Sequence, residues 1–171
     1  MRVQASPLTI EIWFVDGDAA MFKKSMKLML QGSAAGFAAT VPMTMAMEVL
    51  RRRLPMFQRY PLPPSRIISC IFGRREQTEH RNLTFIGHFA FGALAGAGYA
   101  VLFKRVPVLT VIKGLLFGTS VWFISYEGWL PTLRILPAAS DTPKQRNLLM
   151  IAAHLVWGSV TAMLVDRFSK W

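Results

Sequence analysis

The chain has 171 residues, with 20 Lys and Arg against 9 Asp and Glu, a net charge of +11, and 53% hydrophobic residues. That length holds one compact unit and no second sizeable domain, and the single cysteine, Cys70, excludes an intrachain disulfide and a cysteine-based metal cage. The basic residues flank apolar runs, as membrane orientation determinants do, which argues against nucleic acid as the partner.

Residues 1–27 form an N-terminal extension and basic flank. The first twenty, MRVQASPLTIEIWFVDGDAA, contain Glu11, Asp16 and Asp18 and lack the continuous apolar run of a cleavable signal peptide. Alternation at Ile10, Ile12 and Phe14 ahead of Asp16-Gly17 predicts a short strand and turn, and Met21 and Met26 stand as alternative starts.

Four apolar runs follow, about 28–50, 83–103, 107–130 and 147–166, within a transmembrane domain over 28–168. Each has about 20 residues, which at roughly 1.5 Å per residue crosses a hydrocarbon core of about 30 Å. The predicted fold class is therefore all-α, an integral membrane four-helix bundle. Pro42 in the first run should kink it or free a carbonyl that Thr40 or Thr44 helps to satisfy. After it, PLPPSRIISCIFGRR carries an apolar stripe with basic neighbours, predicting a short helix that lies in the interface or caps the bundle mouth. The first and third loops carry eleven Lys and Arg against eight on the opposite side, towards which Lys113 snorkels, so these loops are favoured as cytoplasmic.

The two halves resemble each other. The first run carries Gly32-x-x-x-Gly36 and the third Gly114-x-x-x-Gly118. YPLPPSRI, with Arg66, follows the first, and GWLPTLRI, with Arg134, follows the third. The second and fourth runs contain HFAFG and HLVWG, each a His, two residues, an aromatic and a Gly. This order predicts two tandem helical hairpins related by an axis along the membrane normal. Gly32, Gly36, Gly92, Gly96, Gly114, Gly118 and Gly158 provide small residues at helical spacing, which let backbones approach closely where lipid gives no hydrophobic push.

His88 and His154 then fall at closely similar depth, with Gly92 and Gly158 four residues on along the same helix faces. Glu48, Glu127 and Tyr126 end the odd-numbered runs on that side, and Arg66 and Arg134 follow in the loops. The predicted candidate site is this polar cluster. Three roles are open to it: hydrogen-bonded glue between helices, a site for a small solute, lipid, quinone or proton, and a two-imidazole metal or haem site. No nucleophile or metal quartet accompanies the histidines, so no catalytic residue and no cofactor is predicted beyond that haem or metal alternative.

The segments GFAATVPMTMAMEVLRRRLP, RYPLPPSRI, HFAFGALAGAGYAVL, GLLFGTSVWFISYEGWLPTLRILPAA and RNLLMIAAHLVWG, together spanning about residues 28–168, resemble a bacterial inner-membrane family of unknown function, that of YagU and its relatives. The resemblance implies an integral protein of the bacterial inner membrane and carries no catalytic residues to transfer. The expected function is a non-enzymatic accessory or assembly component in the lipid bilayer, packing against itself or a membrane-protein partner. A transporter-like or ligand-binding protein using the His/Glu cluster is the alternative.

Overall fold

The computed structural model describes residues 7–59, 61–73 and 77–169, and the side chains of 21–59, 61–73 and 78–169. The described residues form six helices and no strand: α1 Pro7–Arg52, α2 Pro63–Phe72, α3 Gln77–Phe103, α4 Thr110–Phe123, α5 Leu130–Thr132 and α6 Lys144–Phe168. A π-helical stretch, Ile124–Trp129, joins α4 to α5, and short 3-10 turns occupy Met56–Gln58 and Ala139–Asp141.

The strand expected around Ile10, Ile12 and Phe14 is instead the beginning of α1. Pro7 opens the helix, where its missing N–H has no intrahelical partner to lose. No strand among the described residues is available to pair with this segment, so helical bonds satisfy its backbone. Pro42 leaves α1 unbroken. Thr40 Oγ1 donates to the Gly36 carbonyl (2.8 Å) and Thr44 Oγ1 to the Thr40 carbonyl (2.7 Å), so neither serves the Ala38 carbonyl that Pro42 deprives of its donor.

Three helical stretches are long and apolar enough to cross a membrane: Met21–Arg52, Thr78–Phe103 and Lys144–Phe168. The expected span at 107–130 is present as helix but interrupted. Regular α4 has 14 residues, about 21 Å at 1.5 Å per residue, and the π-helical turn then carries the chain into α5. Pro131 explains the widening, because its ring would clash with the Glu127 carbonyl four residues back. The Leu130 amide bonds the Ser125 carbonyl, five residues back, and Gly128 takes a non-helical conformation (φ −103°, ψ −106°).

α1 packs on α3, α4 on α6, and α1 on α6, while α2 lies on α3. The glycines set the first two crossings. A Cβ on Gly32 would stand 2.4 Å from the Gly96 carbonyl oxygen, and one on Gly36 would stand 2.2 Å from that of Gly92. In the second crossing, a Cβ on Gly114 would meet the Gly158 oxygen at 2.6 Å, and one on Gly118 the His154 oxygen at 2.2 Å. Only hydrogen fits at these positions, so backbone touches backbone. Trp157 ties the pairs together, donating from Nε1 to the Gly36 carbonyl at 3.1 Å and packing its ring on Phe117.

Polarity is arranged as in a membrane protein. Large apolar side chains such as Leu30, Phe37, Met45, Ile86, Leu94 and Leu116 face outward, while Thr40, Thr161 and His154 are buried. Lys113, expected to snorkel, is 5% exposed and pairs instead with Asp166 (3.8 Å), whose carboxylate also accepts from Thr110 Oγ1.

Candidate functional site

Between α1, α3, α6 and the π-helical turn lies a cavity of about 320 Å3, covered by α2. The volume is at the lower end for small-molecule sites. Each wall has a local cause. The close α1–α3 and α4–α6 crossings draw the helices together towards the α1 N-terminal end, and larger residues such as Met43, Met47 and Met150 hold them apart beyond. The π-helical turn brings Ser125, Tyr126 and Trp129 to the wall. The Leu62-Pro63-Pro64 run starts α2 with prolines at its first positions, where no N–H is required. Ile68 then rests on Gly87, whose Cβ position lies 3.2 Å from Ile68 Cδ1, and Ser69 Oγ is 2.7 Å from His80 Nε2 of α3. Ile67, Ile68, Ile71 and Phe72 form the cover, with Ile71 and Phe72 exposed on their outer sides.

Among the described residues the lining contains no Asp, Glu, Lys or Arg. Its polar groups are few and mostly engaged. Thr40 Oγ1 donates within α1, and Ser125 Oγ accepts from Trp129 Nε1 at 3.2 Å. His154, 5% exposed, uses Nδ1 to reach the Met150 carbonyl at 2.7 Å, with the Tyr126 ring edge-on to its own. A carbonyl only accepts, so Nδ1 carries the proton, and in the neutral ring Nε2 is an acceptor. His88 Nε2 is buried with no hydrogen-bond partner among the described residues. Among the described residues, therefore, neither imidazole donates to or accepts from a second helix.

The sequence-predicted cluster is divided by the fold. His88, His154 and Tyr126 line the cavity. Glu48 pairs with Arg51 (2.9 Å) and Arg52 (3.1 Å) on its own helix. Glu127 accepts from the Ser140 amide at 3.0 Å, holding the 3-10 turn at Ala139–Asp141. Arg66 lies within α2 beside a separate small hollow that it shares with Tyr126 and Arg146. Arg134 stands in a left-handed turn (φ 56°) closing α5, its amide bonded to the Pro131 carbonyl at 2.9 Å. The two Pro-x-x-Arg-like loops thus fold differently, one as helix and one as turn.

The histidines also differ in register. Gly96 faces Gly32 as Gly158 faces Gly114, and Gly92 faces Gly36 as His154 faces Gly118. By that correspondence His88 lies one turn, about 6 Å, further from its glycine crossing than His154 does. The matched HFAFG and HLVWG strings are offset by that turn, yet both rings border the same cavity.

One important residue gave no sequence signal. Arg146, 4% exposed, donates to the Gln58 carbonyl (2.9 Å) and the Pro61 carbonyl (2.7 Å), pinning the first loop to the start of α6. In sequence it is one more basic residue flanking a span. Among the described residues no three His, Cys, Asp or Glu side chains gather as a metal site.

Searches of curated proteins and of solved structures give no match. The sequence model of one family matches residues 63–163, from α2 through most of α6, and so covers the cavity cover, both histidines and the second glycine crossing. The chain belongs to this family, described as a protein of unknown function (DUF1440).

Proposed function

We propose that this protein is a four-crossing, non-enzymatic component of the bacterial inner membrane, built from two like hairpins, that binds a lipophilic small molecule in the cavity under α2. The glycine crossings at equivalent places in α1–α3 and α4–α6 support the two-hairpin reading. The resemblance to YagU and its relatives supports the membrane, and the continuation of α4 through the π-helical turn into α5 supports a fourth crossing beside the three long apolar helices.

The observation that carries the binding reading is the state of the two imidazoles. Helix glue would spend their hydrogen bonds on neighbouring helices, whereas His154 bonds only its own helix and His88 Nε2 bonds nothing among the described residues. Among the described residues His154 Nε2 has no partner, and a molecule in the cavity would supply one. The glycine faces that could have packed against a partner are occupied by crossings within the chain.

Trp157 and Trp129 line the cavity and report on it. In nanodiscs, 1-bromodecane should quench their fluorescence, and the filled variant Gly87→Met/Val121→Phe should abolish that component. Gly87 is suited to this because only the flexible end of Ile68 stands in the way. Equal quenching of both proteins would refute the binding reading.

A further inference from the structure

Resting on the binding reading above, the geometry points to a defined ligand class: an uncharged lipophile whose head carries a hydroxyl that donates to His154 Nε2.

Three observations converge. First, the tautomer of His154 is fixed from behind. Nδ1 keeps its proton and donates it in a hydrogen bond to the Met150 carbonyl at 2.7 Å, and no other hydrogen bond among the described residues involves the ring, so the neutral ring offers a lone pair at Nε2. An acceptor on a cavity wall selects a ligand that donates. Second, the His88 ring borders the same cavity but its Nε2 is shielded from it, which leaves His154 Nε2 as the imidazole atom that meets the ligand's head. Third, among the described residues no charged side chain lines the space, and Arg66 and Arg146 belong to the neighbouring hollow beyond Tyr126, Pro63 and Met150. A carboxylate or ammonium head would enter without a counter-charge, which an apolar interior penalises heavily.

The apolar part of the ligand has a path. Ile71, Phe72 and Phe91 line the cavity and are also exposed, so they mark its mouth between α2 and α3. A mouth bordered by apolar side chains admits molecules dissolved in the bilayer.

Three matched probes test the class by quenching in nanodiscs: 11-bromo-1-undecanol, its methyl ether, and 11-bromoundecanoate. The ether keeps the oxygen acceptor and loses only the donor. The alcohol should bind about tenfold more tightly than the ether, the size expected of one buried hydrogen bond, and more tightly still than the carboxylate. His154→Phe should bring the alcohol to the level of the ether and leave the ether within twofold of its former affinity. The comparison of probes on the unaltered protein stands even if that variant does not fold. Equal binding of alcohol and ether, or preferred binding of the carboxylate, would overturn the ligand class while leaving the binding site intact. Loss of quenching by every probe, with no difference from Gly87→Met/Val121→Phe, would overturn the site itself. A Soret band on adding haemin that disappears in His154→Phe would give Nε2 to iron and overturn the class.

Discussion

Two alanine substitutions on one helix, two residues apart, should change stability in opposite directions. Gly96 and Gly98 both lie in α3, and replacing either with Ala removes the same backbone entropy, a gain of about 1 kcal/mol in helix propensity. At Gly98 the new methyl meets nothing within 4 Å, so that gain stands. At Gly96 it would lie 2.3 Å from the Gly32 oxygen, 2.7 Å from Gly36 Cα and 2.8 Å from Gly36 N. All three are backbone atoms, so no rotamer change relieves the overlap. Restoring ordinary contact at 3.4 Å requires α1 and α3 to separate by about 1 Å. That displacement would also strain the Gly36–Gly92 approach and the Trp157 bond to the Gly36 carbonyl. Overpacking of this kind costs about 1–3 kcal/mol. Gly98→Ala should therefore raise the thermal midpoint in mild detergent, and Gly96→Ala should lower it by a net 1 kcal/mol or so. Equal stabilisation by both would mean that α1 and α3 do not touch at backbone distance.

Asp166→Ala should destabilise by about 3 kcal/mol, because it strands the buried Lys113 ammonium. Lys113→Met/Asp166→Leu should recover most of the loss, and a double-mutant cycle with simply additive effects would deny the pairing. Arg146→Gln removes charge-assisted bonds to the Gln58 and Pro61 carbonyls and should raise amide exchange over 54–62, with unchanged exchange counting against that anchor. Cys70 is exposed on α2, so a membrane-impermeant maleimide should label inverted vesicles and spare intact cells if the first loop is cytoplasmic; the reverse pattern would invert the topology.

How much of the site was legible follows from how local each interaction is. The histidines stood out because an ionisable ring inside an apolar run is visible in one dimension, and both do line the cavity. The carboxylates are less legible, because sequence places them at span ends but says nothing of their partners. Glu48 finds Arg51 and Arg52 one turn away, and Glu127 finds the amide of Ser140. Matching HFAFG to HLVWG aligned letters, whereas backbone contacts align Gly96 with Gly158 and shift the histidines by a turn.

Sequence alone determined what depends on periodicity and composition: long apolar helices, small residues at four-residue spacing, and charges held at the ends. Hydrocarbon imposes these on any chain that must satisfy its backbone internally. Tertiary structure decided what depends on where separate helices meet. It turned the glycine faces inward against other helices of the same chain, laid α2 across the opening, and widened the helix ahead of Pro131 so that Tyr126 and Trp129 reach the cavity. It also buried Arg146 against a loop some 85 residues away and Lys113 against Asp166. Such pairings answer to distances between segments far apart in the chain, and no local pattern of residues encodes them.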